Sequence, residues 1–157
     1  REYESGDGST TRIENSDSEF RTYSEEEVCQ EIEEKLGVIA PRLIYKPQGM
    51  ELYEYWIDED TGEAVIKYRR DNNDLKIYIS KDYHDTSINF EMDGIEKDSI
   101  MVVANDIWVS VYEYVDPYGV NYYQSGFELY NTYYSLTGMI DYDEFNIILE
   151  NIAVNNV

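Results

Sequence analysis

The chain has 157 residues, 42% of them hydrophobic, with 34 acidic against 12 basic residues and a net charge of −22. Its length suits one domain with a core of its own, and its apolar content separates it from disordered acidic tails. The charge argues against nucleic acid, because phosphate contacts need clustered Lys and Arg, and it disfavours unassisted docking on an anionic membrane.

Residues 1–19 are polar and rich in Gly, Ser and Thr, which predicts a flexible leader ahead of a single domain over residues 20–157. Ser24-Glu25-Glu26-Glu27 forms a capping box. The Ser24 hydroxyl can accept from the backbone N–H three residues on, while Glu27 reaches back. Val28, Ile32 and Leu36 then share one face and Gly37 is placed as a stop, so a helix is expected over residues 25–36. Cys29, the one cysteine, falls within it as a packed small residue and leaves no intrachain disulfide. Pro41 and Pro47 bracket a short extended piece at 42–45.

From residue 51 the hydrophobic period changes to two. Strands are expected at 52–57, 64–69 and 75–79, with turns at 58–63 and 71–74. A loop at 81–87 carries His84, flanked by Asp82, Tyr83 and Asp85 and read as solvated. Further strands are expected at 88–92, 100–103 and 107–115, the last two joined at Asn105-Asp106. Asp116-Pro117-Tyr118-Gly119 is a turn by composition, and segments 120–123 and 127–136 close the sheet. Gly138 ends the run. Asp141-Tyr142-Asp143-Glu144 then opens a helix with Phe145, Ile148, Leu149 and Ile152 on its apolar face, Asp141 serving as N-cap with Glu144 as its capping partner. Turns too short for crossovers imply antiparallel pairing. The expected fold is α+β, a curved, mainly antiparallel sheet of about seven or eight strands with an N-terminal and a C-terminal helix packed on it.

Several runs at the C-terminal end carry a resemblance: 107–114 (Ile-Trp-Val-Ser-Val-Tyr-Glu-Tyr), Gly126-Phe127-Glu128-Leu129, Tyr133-Tyr134-Ser135-Leu136-Thr137-Gly138, Asp143-Glu144-Phe145 and Ile148-Leu149-Glu150-Asn151-Ile152. Across roughly residues 65–155 the chain resembles the bacterial domain-of-unknown-function family 4367. Members tend to end in a strand, a Y-x-L-x-G turn and a helix that begins near an acidic pair. The resemblance implies location more than activity. Such domains often stand outside the cytoplasmic membrane of Gram-positive bacteria, following a single membrane span in proteins that look like anti-sigma factors or lipoproteins. Residues 1–19 would then be a juxtamembrane linker. The resemblance brings no catalytic residues to carry over.

Asp58-Glu59-Asp60-Thr61-Gly62-Glu63 is the best cation candidate, with Asp58 and Asp60 as the weak metal ligands, but the glycine falls one place early for an EF-hand loop. An acidic hairpin turn is the favoured reading of the run. Trp56, Trp108 and the Tyr122-Tyr123 doublet are candidate ligand-binding residues, because aromatics beside carboxylates can form a sugar platform or peptide groove. They also fit half-buried pleated surfaces with no further role. In each doublet, Tyr122-Tyr123 and Tyr133-Tyr134, one ring must face away from the other, so one sheet face is expected to be aromatic and uncovered. One Cys and one His remove every metal motif that repeats those ligands. A Cys29–His84 dyad is opposed by Glu26, Glu27, Glu31 and Glu33, which raise a thiol pKa. No phosphate loop, dinucleotide fingerprint or nucleophile elbow occurs, and no cofactor is expected.

The expected function is non-enzymatic: an extracytoplasmic binding, sensing or regulatory domain of a membrane-anchored or lipoprotein-type bacterial protein. A carbohydrate- or cell-wall-binding module is the alternative, and a carboxylate-based hydrolase the third. Partners are expected among proteins or cell-wall ligands, with no nucleic acid. The longest apolar run, 100–104, is far below the ~18 residues of a membrane span, so membrane attachment is expected only through a segment absent from this chain, which starts at Arg1 and reads as a mature or trimmed form.

Overall fold

The period-two pattern that starts near residue 51 is realised as seven hydrogen-bonded strands, and the two segments of period 3.6 as helices. The computed structural model describes residues 3–4, 11–12, 24–81 and 94–155. The elements in order are β1 (Tyr3–Glu4), β2 (Thr11–Arg12), α1 (Glu25–Leu36), β3 (Arg42–Leu43), β4 (Glu51–Asp58), β5 (Glu63–Arg70), β6 (Asn73–Ser80), β7 (Ile95–Val102), β8 (Ile107–Val115), β9 (Asn121–Leu129), β10 (Thr132–Gly138), α2 (Tyr142–Glu150) and β11 (Ile152–Ala153). The main sheet runs β4-β5-β6-β10-β9-β8-β7, antiparallel throughout and not closed. It is two meanders joined at β6 and β10, with Leu136 opposite Ile77 at the seam. A second ribbon pairs β11 with β3, and β1 pairs with β2. His84, the expected strand at 88–92 and most of the expected leader lie outside the described residues.

α1 forms as its residues dictate. The Ser24 hydroxyl accepts from the Glu27 N–H at 3.1 Å, the Glu27 carboxylate accepts from the Ser24 N–H at 2.9 Å, and Gly37 ends the helix at φ 71. Val28, Cys29, Ile32 and Leu36 are buried against the sheet. Tyr55 on β4 and Tyr68 on β5 donate their hydroxyls to Glu31 and Glu25 of the helix. α2 lies on the same face: its Phe145 packs against Tyr123 of β9, and its Glu144 binds Arg70 of β5 through both carboxylate oxygens. Ile57, Ile66, Leu75, Ile77, Ile79 and Leu136 fill the layer between. Each such side chain, fully buried, contributes about 1.5–3 kcal/mol.

The structure departs from the sequence reading at four places. The break expected at 124–126 is not there: β9 runs through it, and the turn falls at Tyr130-Asn131, both at positive φ (54 and 61). Gly126 is a strand glycine because the Tyr133 ring lies over it; a Cβ at Gly126 would stand 2.1 Å from the Tyr133 hydroxyl. β7 begins at Ile95, five residues before the apolar run, because its first five residues form an exposed edge that is polar from Glu96 to Ser99. Ile152 belongs to β11, not to α2, which ends at Glu150. Asp141 caps α2 by accepting from the Asp143 N–H, while Glu144 turns to Arg70 and completes no capping box.

Candidate functional site: the open face of the sheet

Strand pleating divides every strand between two faces, and both helices lie on one of them. Register identifies the other. Lys67 of β5 stands opposite Lys76 of β6, Lys76 opposite Thr137 of β10, Thr137 opposite Gln124 of β9, and Gln124 opposite Tyr112 of β8. The next row, two residues along, is Trp56, Val65, Tyr78, Ser135 and Gly126. On the other side of the first row, Tyr122 pairs with Tyr114, the two rings stacked at 5.4 Å. Neither helix covers these rows.

Of the candidate aromatics, Trp56, Trp108 and Tyr122 share this open face, and Trp108 is 66% exposed. Tyr123 does not join them. It points to the covered face, is buried, and packs on Phe145 and Tyr142 of α2. The doublets behave as pleating requires, Tyr123 and Tyr134 turned to the core and Tyr122 and Tyr133 to the open side. Gln124 and Ser135, both buried in this face, hydrogen-bond each other at 3.2 Å. Glu63 at its edge accepts the Tyr78 hydroxyl proton, and burial with that contact raises the phenol pKa.

A cavity of about 210 Å³ opens on this face, lined by Lys67, Asp74, Lys76, Tyr122 and Thr137 and by residues 138–139. Lys67 approaches the Glu54 carboxylate at 3.8 Å, and Asp74 is taken up by Arg69 at 2.8 Å. Among the described residues no carboxylate pairs with Lys76. Desolvation, with Lys67 opposite, lowers its pKa although the side chain stays exposed. A second cavity, of about 400 Å³, lies between α1 and β3 beside Arg42. The Arg42 guanidinium is already committed, to Glu26 at 2.7 Å and to Glu33 and the Ala40 carbonyl.

The model of the family described as Domain of unknown function (DUF4367) matches residues 40–152. The chain belongs to this family. The DUF4367 region therefore starts after α1, holds the whole seven-stranded sheet with its open face, and ends with α2 and the first residue of β11. No curated protein and no solved structure matches the chain.

The remaining sequence candidates resolve into local structure. Asp58 closes its own turn, its carboxylate accepting from the N–H groups of Asp60 at 3.0 Å and Thr61 at 3.3 Å. Among the described residues no group of three or more His, Cys, Asp or Glu is placed to hold a metal ion. Cys29 is buried, its thiol donating to the Pro41 carbonyl, and burial above all pushes its pKa up to about 12. No helix of the described residues is long and apolar enough to cross a membrane. Lys67, Lys76 and Thr137 escaped the sequence reading because their chemistry appears only when three strands are aligned. The signal available was the turn: a two-residue turn at Asp71-Asn72 sets Lys67 opposite Lys76 by symmetry about it.

Proposed function

We propose that the chain is a non-enzymatic binding or sensing domain that uses the open face of its sheet, and that it works outside the cytoplasmic membrane of a Gram-positive bacterium as part of a membrane-anchored, anti-sigma-factor-like or lipoprotein-type protein. The observation that carries the binding role is the open face itself. It keeps Trp56, Trp108, Tyr112, Tyr114 and Tyr122 clear of both helices, where burying them would stabilise the fold. The location is supported by the surroundings in which such family members tend to stand.

A carbohydrate or cell-wall ligand is the second reading, favoured by the exposed Trp108 ring and the Tyr114–Tyr122 stack. Both readings meet in one experiment, a thermal melt of the chain with calcium, with chelator, and with a panel of cell-wall fragments and glycans. A ligand at one hundred times its dissociation constant adds about 2.7 kcal/mol, a shift of several degrees for a domain of this size. The expected result is a shift that Trp56→Ala and Trp108→Ala each reduce. A shift that both variants retain in full would place the ligand elsewhere and remove the open-face reading. For location, a topology reporter fused to the complete gene product should report the outer side; a cytoplasmic signal would remove that part.

A further inference from the structure

Two lysines face each other across β5 and β6 in a chain whose charge is −22. Directly opposed side chains in an antiparallel pair stand with Cβ atoms about 4.5–5.5 Å apart, and like charges there destabilise the sheet. With 34 acidic residues to draw on, neutralising both lysines would be simple for this sequence. Instead Lys67 meets Glu54 only at 3.8 Å, the carboxylate of Asp74 is held by Arg69, and no described carboxylate pairs with Lys76. Other cations pair more closely. Arg42, Lys46, Arg70 and Lys97 each pair with a glutamate. Lys76, with no described carboxylate beside it, and Lys67, whose contact to Glu54 is longer than any of these, thus border the open-face cavity of about 210 Å³.

We propose that this cavity binds an oxyanion, the carboxylate or phosphate of a small polar ligand, between the ammonium groups of Lys67 and Lys76, with the Thr137 hydroxyl as a further donor and the Tyr122 ring as an apolar wall. The proposal rests on the open face being the ligand face and names the class of ligand it takes. A bound anion supplies the counter-charge that Lys76 lacks among the described residues. Ammonium groups suit this task because each is a compact point charge on a flexible stem and needs no fixed bidentate geometry. The overall negative charge opposes the approach of an anion, but at physiological salt the Debye length is about 8 Å, so distant carboxylates are screened, and the one on the cavity wall, Asp74, is held by Arg69. Tyr122 on the wall favours a ligand that carries a ring or an aliphatic frame beside its acid, such as an acidic sugar.

The test is a titration of the whole chain, followed by amide and lysine side-chain NMR shifts, with glucuronate, glycerol 3-phosphate and neutral glucose as probes. Saturable shifts centred on Lys67, Lys76, Tyr122 and Thr137 are expected with at least one of the two acids and not with glucose, and the tighter acid assigns carboxylate or phosphate. Lys76→Gln should weaken binding at least tenfold while leaving the melting temperature unchanged or raised, which a purely structural lysine would not do. Lys97→Gln, at a cation already paired with Glu113, should leave binding unaltered. Glucose binding as tightly as the acids, or acid binding unchanged in Lys76→Gln, would overturn the anion site. If the acids move nothing at the cavity while a glycan or cell-wall fragment perturbs Trp56 or Trp108, the anion site falls and the binding face stands. If no probe or fragment perturbs the open face, both fall.

Discussion

On the covered face Tyr55, Tyr68 and Tyr134 bury their rings and give their hydroxyl protons to Glu31, Glu25 and the Ile39 carbonyl, in α1 or just after it. On the open face Tyr112, Tyr114 and Tyr122 stay half-buried, two of them stacked on each other, and Trp108 stands mostly in solvent. The same side chain thus ties a helix to the sheet on one side and makes a surface on the other. What decides between them is parity along the strand. The ring supplies apolar area in both places, but a buried hydroxyl must find a partner, and on the covered face these three find theirs on α1 or just after it, so there the tyrosines fasten helix to sheet.

The widest gap between the faces should appear on truncation. Phe145 is fully buried in α2 against Tyr123, so Phe145→Ala is expected to cost about 3–5 kcal/mol. Trp108→Ala, although it removes the larger ring, should stay within about 0.5 kcal/mol. Urea denaturation of both variants measures the contrast. Equal losses would mean that the open face is part of the core.

A second test of the covered face lies at high pH. Burial raises the Tyr134 pKa to about 12, and Tyr68 is raised well above its usual value by burial and Glu25. In the unfolded chain both titrate near 10. Between those values the native state holds protons that the unfolded state has lost, so stability is complete below about pH 10 and falls as pH rises toward the folded values. For Tyr134 alone the loss is on the order of 2 kcal/mol. Tyr134→Phe forfeits the bond to Ile39 at neutral pH but should flatten the alkaline slope. Melting temperatures from pH 8 to 12 check it.

The covered face is largely legible in the sequence, and the open face only in outline, as an aromatic side left uncovered. Ser24, Glu27 and Gly37 announce α1 through local chemistry, and the alternation of Leu75, Ile77 and Ile79 announces β6 through its own period. Trp56, Trp108 and Tyr122 were singled out as single residues, but their common face, and the exclusion of Tyr123 from it, depend on parity set by the turns between strands. The decisive turn, Tyr130-Asn131, falls inside the segment 127–136 that reads as one strand, while residues 124–126, which read as the gap between two strands, belong to β9. Glycine usually supplies the left-handed conformation in such a turn, and here Tyr and Asn adopt it while the nearby glycine serves a close contact in β9. The polar edge at 95–99 escaped for a related reason, since an exposed edge strand carries no hydrophobic alternation to read.

That close contact gives a smaller test, on the open face alone. Gly126→Ala places a Cβ into the Tyr133 ring and is expected to cost about 1–3 kcal/mol, despite the better strand propensity of alanine. In a Tyr133→Ala background the same change should cost at least about 1 kcal/mol less. A double-mutant cycle by chemical denaturation decides it. Additive effects would mean that the ring is free to move away and does not fix Gly126.

The smallest expected effect sits at the margin of the covered face, where Arg70 of β5 holds Glu144 of α2 through two hydrogen bonds. Both side chains are partly exposed, so solvent screening keeps the pair near the surface scale, at about 1 kcal/mol or less. The sign of its pH dependence is nevertheless firm. Hydrogen bonding to Arg70 is the largest cause lowering the Glu144 pKa. The stabilisation is therefore complete above the unfolded carboxyl value, about 4.3, and disappears as pH falls through the lower folded value. Arg70→Gln should lower the melting temperature slightly at pH 7, and the difference from the parent chain should close as pH falls below about 4.3. Arg69→Gln breaks a comparably close pair with Asp74 on the open face, but it anchors no helix. Its cost at pH 7 should be smaller still. If Arg69→Gln proved the costlier of the two, the pair on the open face would be holding β5 and β6 together, and the division of work between the two faces would have to be redrawn.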